Sequence, residues 1–221
     1  MRKEDCWYKT VCQNECTESC IRYNEMKFLM DNSGIPKPQQ IPLKLNPTNA
    51  KDRAVFIELD KIKNDIVNFV NSGKNLYIAS ESAGVSKTSW ALKLMLKYFD
   101  EIWSGNSFRV RGIFVHVPTF LMQLKNFSNP LDDEYKQNLL NCDLVIWDDL
   151  ATGQKTSDFD YNQLLMYIDN RLRNKKANIY TSNIVTKEQL EQVLGVRLSS
   201  RIYGESKTVT ISAKDYRGGL D

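Results

Sequence analysis

Five short apolar runs mark the chain beyond its first third: "NLYIAS", "GIFVHV", "DLVIWD", "ANIYTS" and "TVTIS". Between them the apolar residues recur every three or four positions, which predicts helices from about residues 87, 118, 158 and 186. Runs this short and this free of polar interruption suit strands buried on both faces. Strands separated by helical crossovers imply an α/β fold with a central parallel sheet flanked by helices. Ligands of such sheets lie beyond the carboxyl ends of the strands.

Upstream, Val55, Leu59, Ile62, Ile66 and Phe69 keep helical spacing as far as the stop "NSG", predicting one long amphipathic helix. Before it, "GIPKPQQIPLKLNP" holds Pro36, Pro38, Pro42 and Pro47, which deny helix and favour extended chain. Residues 33–48 are therefore read as a linker between an amino-terminal module, 1–32, and a core, 49–221. The module ends in an expected helix, "CIRYNEMKFLM".

Composition narrows the function classes. A chain of 221 residues with 42% hydrophobic and 26% charged residues can bury one core and carry a small appendage. A formal charge of +3 is too small for tight non-specific nucleic-acid binding, though it allows a local basic strip. No apolar stretch approaches membrane-spanning length, and "MRKEDCWYKT" lacks the features of a secretory signal, so a cytoplasmic protein is expected.

Cys6, Cys12, Cys16 and Cys20 crowd into the first twenty residues, with Cys142 far downstream. Clustered thiols in a cytoplasmic chain point to metal before disulfides, so Zn²⁺ is expected; the alternative is buried or unligated thiols. The spacing C-x5-C-x3-C-x3-C matches no standard zinc finger. Thiolates on one tetrahedral ion lie about 4 Å apart, whereas Cys12 and Cys20 on one helix would be separated by about 12 Å. Zinc thus requires a chain reversal, expected at "QNE".

The most informative stretch is "ESAGVSKTS", residues 81–89, which follows the first apolar run and precedes a helix. A phosphate-binding loop needs inward-pointing N–H groups, a lysine for the terminal phosphates, a hydroxyl for Mg²⁺ and a helix N-terminus facing the anion. Lys87 and Thr88 supply the side chains in the right order. Of the three glycines in G-x-x-G-x-G-K-T only Gly84 is present; Glu81 and Ser86 replace the others, so an ordinary turn remains an alternative. About sixty residues on, "LVIWDD" places Asp148 and Asp149 after a buried strand, where one carboxylate can serve Mg²⁺ and the other orient water. The next strand ends in "TSN", at the same edge of the sheet.

Taken in order, "SAGVSKTSWALKLM", "CDLVIWDDL", "IYTSN" and "GVRLSSRIYG" resemble the Walker A, Walker B, sensor 1 and arginine-finger segments of AAA+ ATPases of the DnaC/DnaI helicase-loader type, particularly phage-encoded members. The likeness spans nearly the whole chain, including a cysteine-rich module and linker before the core. It implies an AAA+ P-loop core without a carboxyl-terminal helical lid. It also implies that Gly84, Val85, Ser86, Lys87, Thr88 and Ser89 bind ATP, that Thr88 and Asp148 hold Mg²⁺, and that Asp149 stands where many AAA+ proteins have glutamate. Asn183 becomes the polar sensor, with Ser182 beside it, and Arg201 the finger offered to a neighbouring subunit, with Arg197 near the interface. Implied partners are a hexameric replicative helicase, single-stranded DNA and further copies of the ATP-bound chain.

Loops equivalent to the DNA-contacting loops of loaders hold "KNFSNP" and "QKTSDFDY", making Lys125, Phe127, Lys155, Ser157 and Phe159 candidates. The two phenylalanines could equally be core residues. His116 reads as a satisfied strand histidine, Cys142 as a buried strand residue, and Trp90 as a packing residue. Two other function readings are a helicase-binding adaptor or inhibitor that does not hydrolyse ATP, and a sister-branch replication initiator or transposition-helper ATPase.

Overall fold

The computed structural model describes residues 6–8, 10–35, 47, 49–82, 84, 86–102, 108–126, 128, 130–151 and 156–212. Every expected apolar run forms a strand: β1 (Asn75–Ala79), β2 (Gly112–His116), β3 (Leu144–Asp148), β4 (Ala177–Ser182) and β5 (Ser206–Thr210). The strands form one sheet in the order β2-β3-β4-β1-β5, with all pairs parallel. The parallel α/β expectation therefore holds.

Strand alternation divides the core. Leu76, Ile78, Leu144, Ile146, Ile179 and Val209 face one layer, while Tyr77, Ala79, Val145, Trp147 and Tyr180 face the other. The first layer is covered by α1 (Ile21–Asp31), α2 (Ala50–Asn64), α3 (Ile66–Asn71) and α4 (Lys87–Ile102). The second is covered by α5 (Val117–Leu124), α6 (Asp133–Asn141), α7 (Asp158–Arg173), α8 (Lys187–Leu194) and α9 (Val196–Gly204). Among the described residues no helix is long and apolar enough to cross a membrane, and no helix follows β5.

The single helix expected over residues 55–69 is instead two, α2 and α3, broken at Asp65 (φ −118°, ψ 27°). The Asp65 carboxylate accepts from the Asn68 amide at 2.7 Å, a local bond that competes with regular helix. Ile66 and Phe69 remain buried, so the apolar stripe survives the break. The polar helix α6 has no counterpart among the expected elements: its sequence, "DEYKQNLLN", buries only Leu139, and the Asp132 side chain caps its first turn at 3.3 Å.

The amino-terminal segment bends at Asn14, within the stretch expected to reverse, and then enters α1. Met26, Leu29 and Met30 share a core with Phe56, Leu59 and Leu94. Arg22 stacks 3.6 Å over the Tyr8 ring and pairs with Asp100 of α4 at 3.3 Å. Beyond α1, the Ser33 carbonyl accepts the Phe114 N–H at 2.7 Å along the outer edge of β2. Gly34 follows with φ +67°, and a Cβ there would lie 3.1 Å from the Phe114 carbonyl oxygen. Most of the proline-rich stretch, 36–46 and 48, is outside the described residues.

At the amino end of the sheet lies a fully buried guanidinium, that of Arg171. It donates to the carbonyls of Leu139 (2.8 Å), Cys142 (3.0 Å) and Ala177 (2.7 Å) and to Asn178 Oδ1 (2.8 Å). Asn178 also accepts from Trp147 Nε1 at 3.1 Å, which ties α7 to β3 and β4.

Candidate functional site

The strand order puts the ends of β1, β3 and β4 side by side, and the polar residues that follow them meet there. After β1 the chain turns through Gly84 (φ +74°) and Ser86 (φ +71°) into α4. The Ser86 carbonyl accepts the first helical bond, from Trp90 N–H at 2.9 Å. First-turn N–H groups of a helix have no intrahelical acceptor and sit at its positive end, so the start of α4, with Lys87, Thr88 and Ser89, suits an anion. Ser86 carries a side chain in the left-handed region, where glycine costs least.

Lys87 is buried to 6% exposure, and its ammonium donates to the Ser82 carbonyl at 3.0 Å and to Asn183 Oδ1 at 2.7 Å. The second bond crosses from the loop after β1 to the residue after β4. Thr88 Oγ1 donates to Asp148 Oδ1 at 2.7 Å, joining α4 to the end of β3. Thr181, on β4, reaches the same Asp148 oxygen at 2.7 Å and accepts the Asp149 N–H at 3.0 Å. Asp149 itself takes up a left-handed conformation, φ +52°.

Burial pushes the Asp148 carboxyl above its ordinary pKa; the Thr88 and Thr181 hydroxyls oppose the rise, and the neighbouring Asp149 charge adds to it. A buried carboxylate whose hydrogen-bond donors are hydroxyls has a standing use for a cation. Thr88 and Asp148 are the oxygen donors a Mg²⁺ ion would take, and their 2.7 Å contact puts both at one point.

Lys87 is thus brought to Asn183 and Thr88 to Asp148, with Asp149 next along the chain; Gly84 and Ser86 lie in the turn and Ser89 in the first turn of α4, while Val85 lies outside the described residues. Arg201, on α9, is engaged within its own chain: its Nε lies 3.1 Å from Asp169 and its NH1 3.0 Å from Glu205. Arg197 is exposed. Of the DNA candidates, Lys125, Ser157 and Phe159 cluster, with Lys125 ion-paired to Asp160 at 2.8 Å and 5.8 Å from the Phe159 ring centre. Ser157 caps α7, bonding Asp160. Phe127 and Lys155 lie outside the described residues.

Cys6, Cys12, Cys16 and Cys20 border one hollow of about 230 Å³ together with Tyr8 and Arg22. They do not converge: among the described residues no group of three or more histidine, cysteine or acidic side chains is poised to hold a metal ion. The zinc expectation therefore finds no support among the described residues. Cys142 is buried as expected but precedes β3 rather than lying in it, and burial pushes its thiol pKa up. Trp90 packs against Phe56, ring centres 5.1 Å apart.

Two residues of the site escaped the sequence reading. His116 is a satisfied strand histidine as expected, ending β2 and bonding Thr119 at 2.7 Å, but the sequence does not show that it lies 3.6 Å from Asp149. Its place opposite Asp148 in the β2–β3 register could be found only once the strands are paired. Thr181 was hidden inside "TSN", where attention falls on the last residue.

No family model matches the chain, and neither does any curated protein. Solved structures do. A crystal structure of the DnaC helicase loader is similar at 22% identity and TM-score 0.64, over 76% of this chain and 93% of that one. The structure of DnaI is similar at 18% identity and TM-score 0.61, over 82% and 93%. The replication initiator DnaA bound to AMPPCP and single-stranded DNA is similar at 16% identity and TM-score 0.60, over 80% of this chain and 51% of that one. At these identities the likeness establishes the fold alone, a parallel five-stranded sheet flanked by helices that this chain shares with those proteins.

Proposed function

We propose that the chain is an ATP-binding helicase loader whose core assembles side by side with further copies when ATP is bound. The observation that carries this reading is the convergence of Lys87, Thr88, Asp148 and Asn183 at the carboxyl ends of β1, β3 and β4, through contacts of 2.7 Å between Lys87 and Asn183 and between Thr88 and Asp148. Lys87 turns from neutral oxygens to the terminal phosphates, and Asn183 follows it to the same group. Thr88 and Asp148 would hold Mg²⁺, whose charge would offset that of the phosphates. Asp149 orients the attacking water and accepts its proton as the γ-phosphorus bond to the bridging oxygen breaks, leaving ADP and phosphate.

The likeness to a helicase loader over most of both chains supports a replicative helicase as partner, with residues 1–32 as its contact. Likeness to an initiator solved with single-stranded DNA supports the same ligand here, and Lys125 and Phe159 are its exposed cation and ring. Arg201 serves a neighbouring subunit by exchanging Asp169 and Glu205 for that subunit's phosphates. The side chain of left-handed Ser86 favours slow turnover, and in the limit an adaptor that binds ATP without hydrolysing it.

Titrating a fluorescent ATP analogue with Mg²⁺ tests the reading. Wild type should bind, and Lys87→Ala should weaken binding by about tenfold or more, the worth of one charge-assisted bond. Indistinguishable curves would reject a nucleotide site. Turnover with and without a replicative helicase and single-stranded DNA then separates loader from adaptor.

A further inference from the structure

Thr181 occupies an unusual position: it is fully buried at the end of β4, between the strand that carries the acids and the strand that leads into the loop. Three successive residues of the acidic turn depend on it. Its hydroxyl contacts Asp148 Oδ1 at 2.7 Å, the same hydroxyl receives the Asp149 N–H at 3.0 Å, and its carbonyl receives the Leu150 N–H at 2.9 Å.

The direction of these bonds follows from chemistry. A backbone N–H can only donate, so Thr181 Oγ1 is the acceptor for Asp149, and its own proton is left for the Asp148 carboxylate. The hydroxyl is therefore locked in one orientation. It also holds a backbone that resists being held, since Asp149 has φ +52° and a non-glycine residue persists there only when its surroundings over-determine it. The hydroxyl and carbonyl of one buried side chain and backbone unit supply that determination.

We propose that Thr181 is a positioning residue for ATP turnover, setting both acids at once: Asp148 for Mg²⁺ through its carboxylate, and Asp149 for water through its backbone. Resting on the nucleotide-site reading, this inference goes beyond it by assigning a role to a residue that touches neither phosphate nor metal. Thr181→Val keeps the β-branched shape and the Leu150 bond while removing both hydroxyl bonds. Thr181→Ser keeps them.

The test measures affinity for a fluorescent ATP analogue in Mg²⁺ and in EDTA, together with kcat, for wild type and both variants. Thr181→Val should lose most of the Mg²⁺-dependent gain in affinity and about tenfold in kcat, with EDTA affinity unchanged. Thr181→Ser should restore both, which a merely structural threonine would not require. Thr181→Ala, which asks less of the packing, takes the place of Thr181→Val if melting shows that variant unfolded. Wild-type Mg²⁺ dependence and kcat in a folded variant without the hydroxyl would overturn the inference while leaving the nucleotide site intact. Absence of nucleotide binding by wild type would overturn both.

Discussion

The run "DLVIWD" carries an aspartate at each end, and the two are treated in opposite ways. Asp143, at the amino end, is met by Arg111, by Arg109 at 3.1 Å, by Lys176 at 3.6 Å and by the Tyr98 hydroxyl at 3.0 Å. Burial pushes its pKa up, but the Arg111 hydrogen bond and the charges of Arg111 and Arg109 push harder, and it ends below the ordinary value. Asp148, at the carboxyl end, is buried too, receives hydroxyls from Thr88 and Thr181, and ends above it. Left-handed Ser86 and Asp149 lie at that second end. Left-handed Lys175 lies at the first end, so strain does not separate the two; what does is that one end meets its buried aspartate with cations, while the other meets it with hydroxyls alone, the arrangement the proposed ligand would use.

The largest expected effect is at the amino end. Arg171→Met leaves the Leu139, Cys142 and Ala177 carbonyls and Asn178 without their buried donor, and should cost about 3–5 kcal/mol in urea unfolding. Asp143→Asn should cost less, about 1–3 kcal/mol at neutral pH, because it leaves three cations clustered without their carboxylate. Its sign with pH is fixed by the lowered pKa. The contribution of Asp143 is full above the ordinary aspartate value of about 3.9 and is lost as pH falls through the lower folded value, so wild type and variant converge in acid. The smallest effect is at the other end: Ser86→Gly relieves a left-handed side chain, partly offset by unfolded-chain entropy, and should stabilise by about 1 kcal/mol or less while tightening nucleotide binding.

Much of the first-named end could not be read from the sequence. Asp143, Arg109, Arg111 and Lys176 are ordinary charges until the β2–β3 and β3–β4 pairings gather them, and Arg171 looks like one more polar position on an amphipathic helix. The second end was largely legible, because a phosphate site draws on residues contiguous in sequence, loop and helix start, and on acids that terminate a strand. Thr181 and His116 fell outside that legibility for one reason: each matters through its cross-strand neighbour, and register is a property of the pairing. Breaking the helix at Asp65 was likewise invisible to periodicity, since Ile66 and Phe69 keep the apolar stripe in phase across the interruption.

The central claim is that the carboxyl end of the sheet is built for Mg²⁺ and nucleotide rather than for stability, and Asp148→Asn tests it most directly. Because the folded state raises the Asp148 pKa, wild-type stability falls as pH rises from about 3.9 through that raised value, and the variant escapes this loss. At neutral pH Asp148→Asn should unfold in urea at the wild-type midpoint or above it, yet bind a fluorescent ATP analogue no better in Mg²⁺ than in EDTA. A variant that is clearly destabilised, or that keeps the wild-type response to Mg²⁺, would contradict the account.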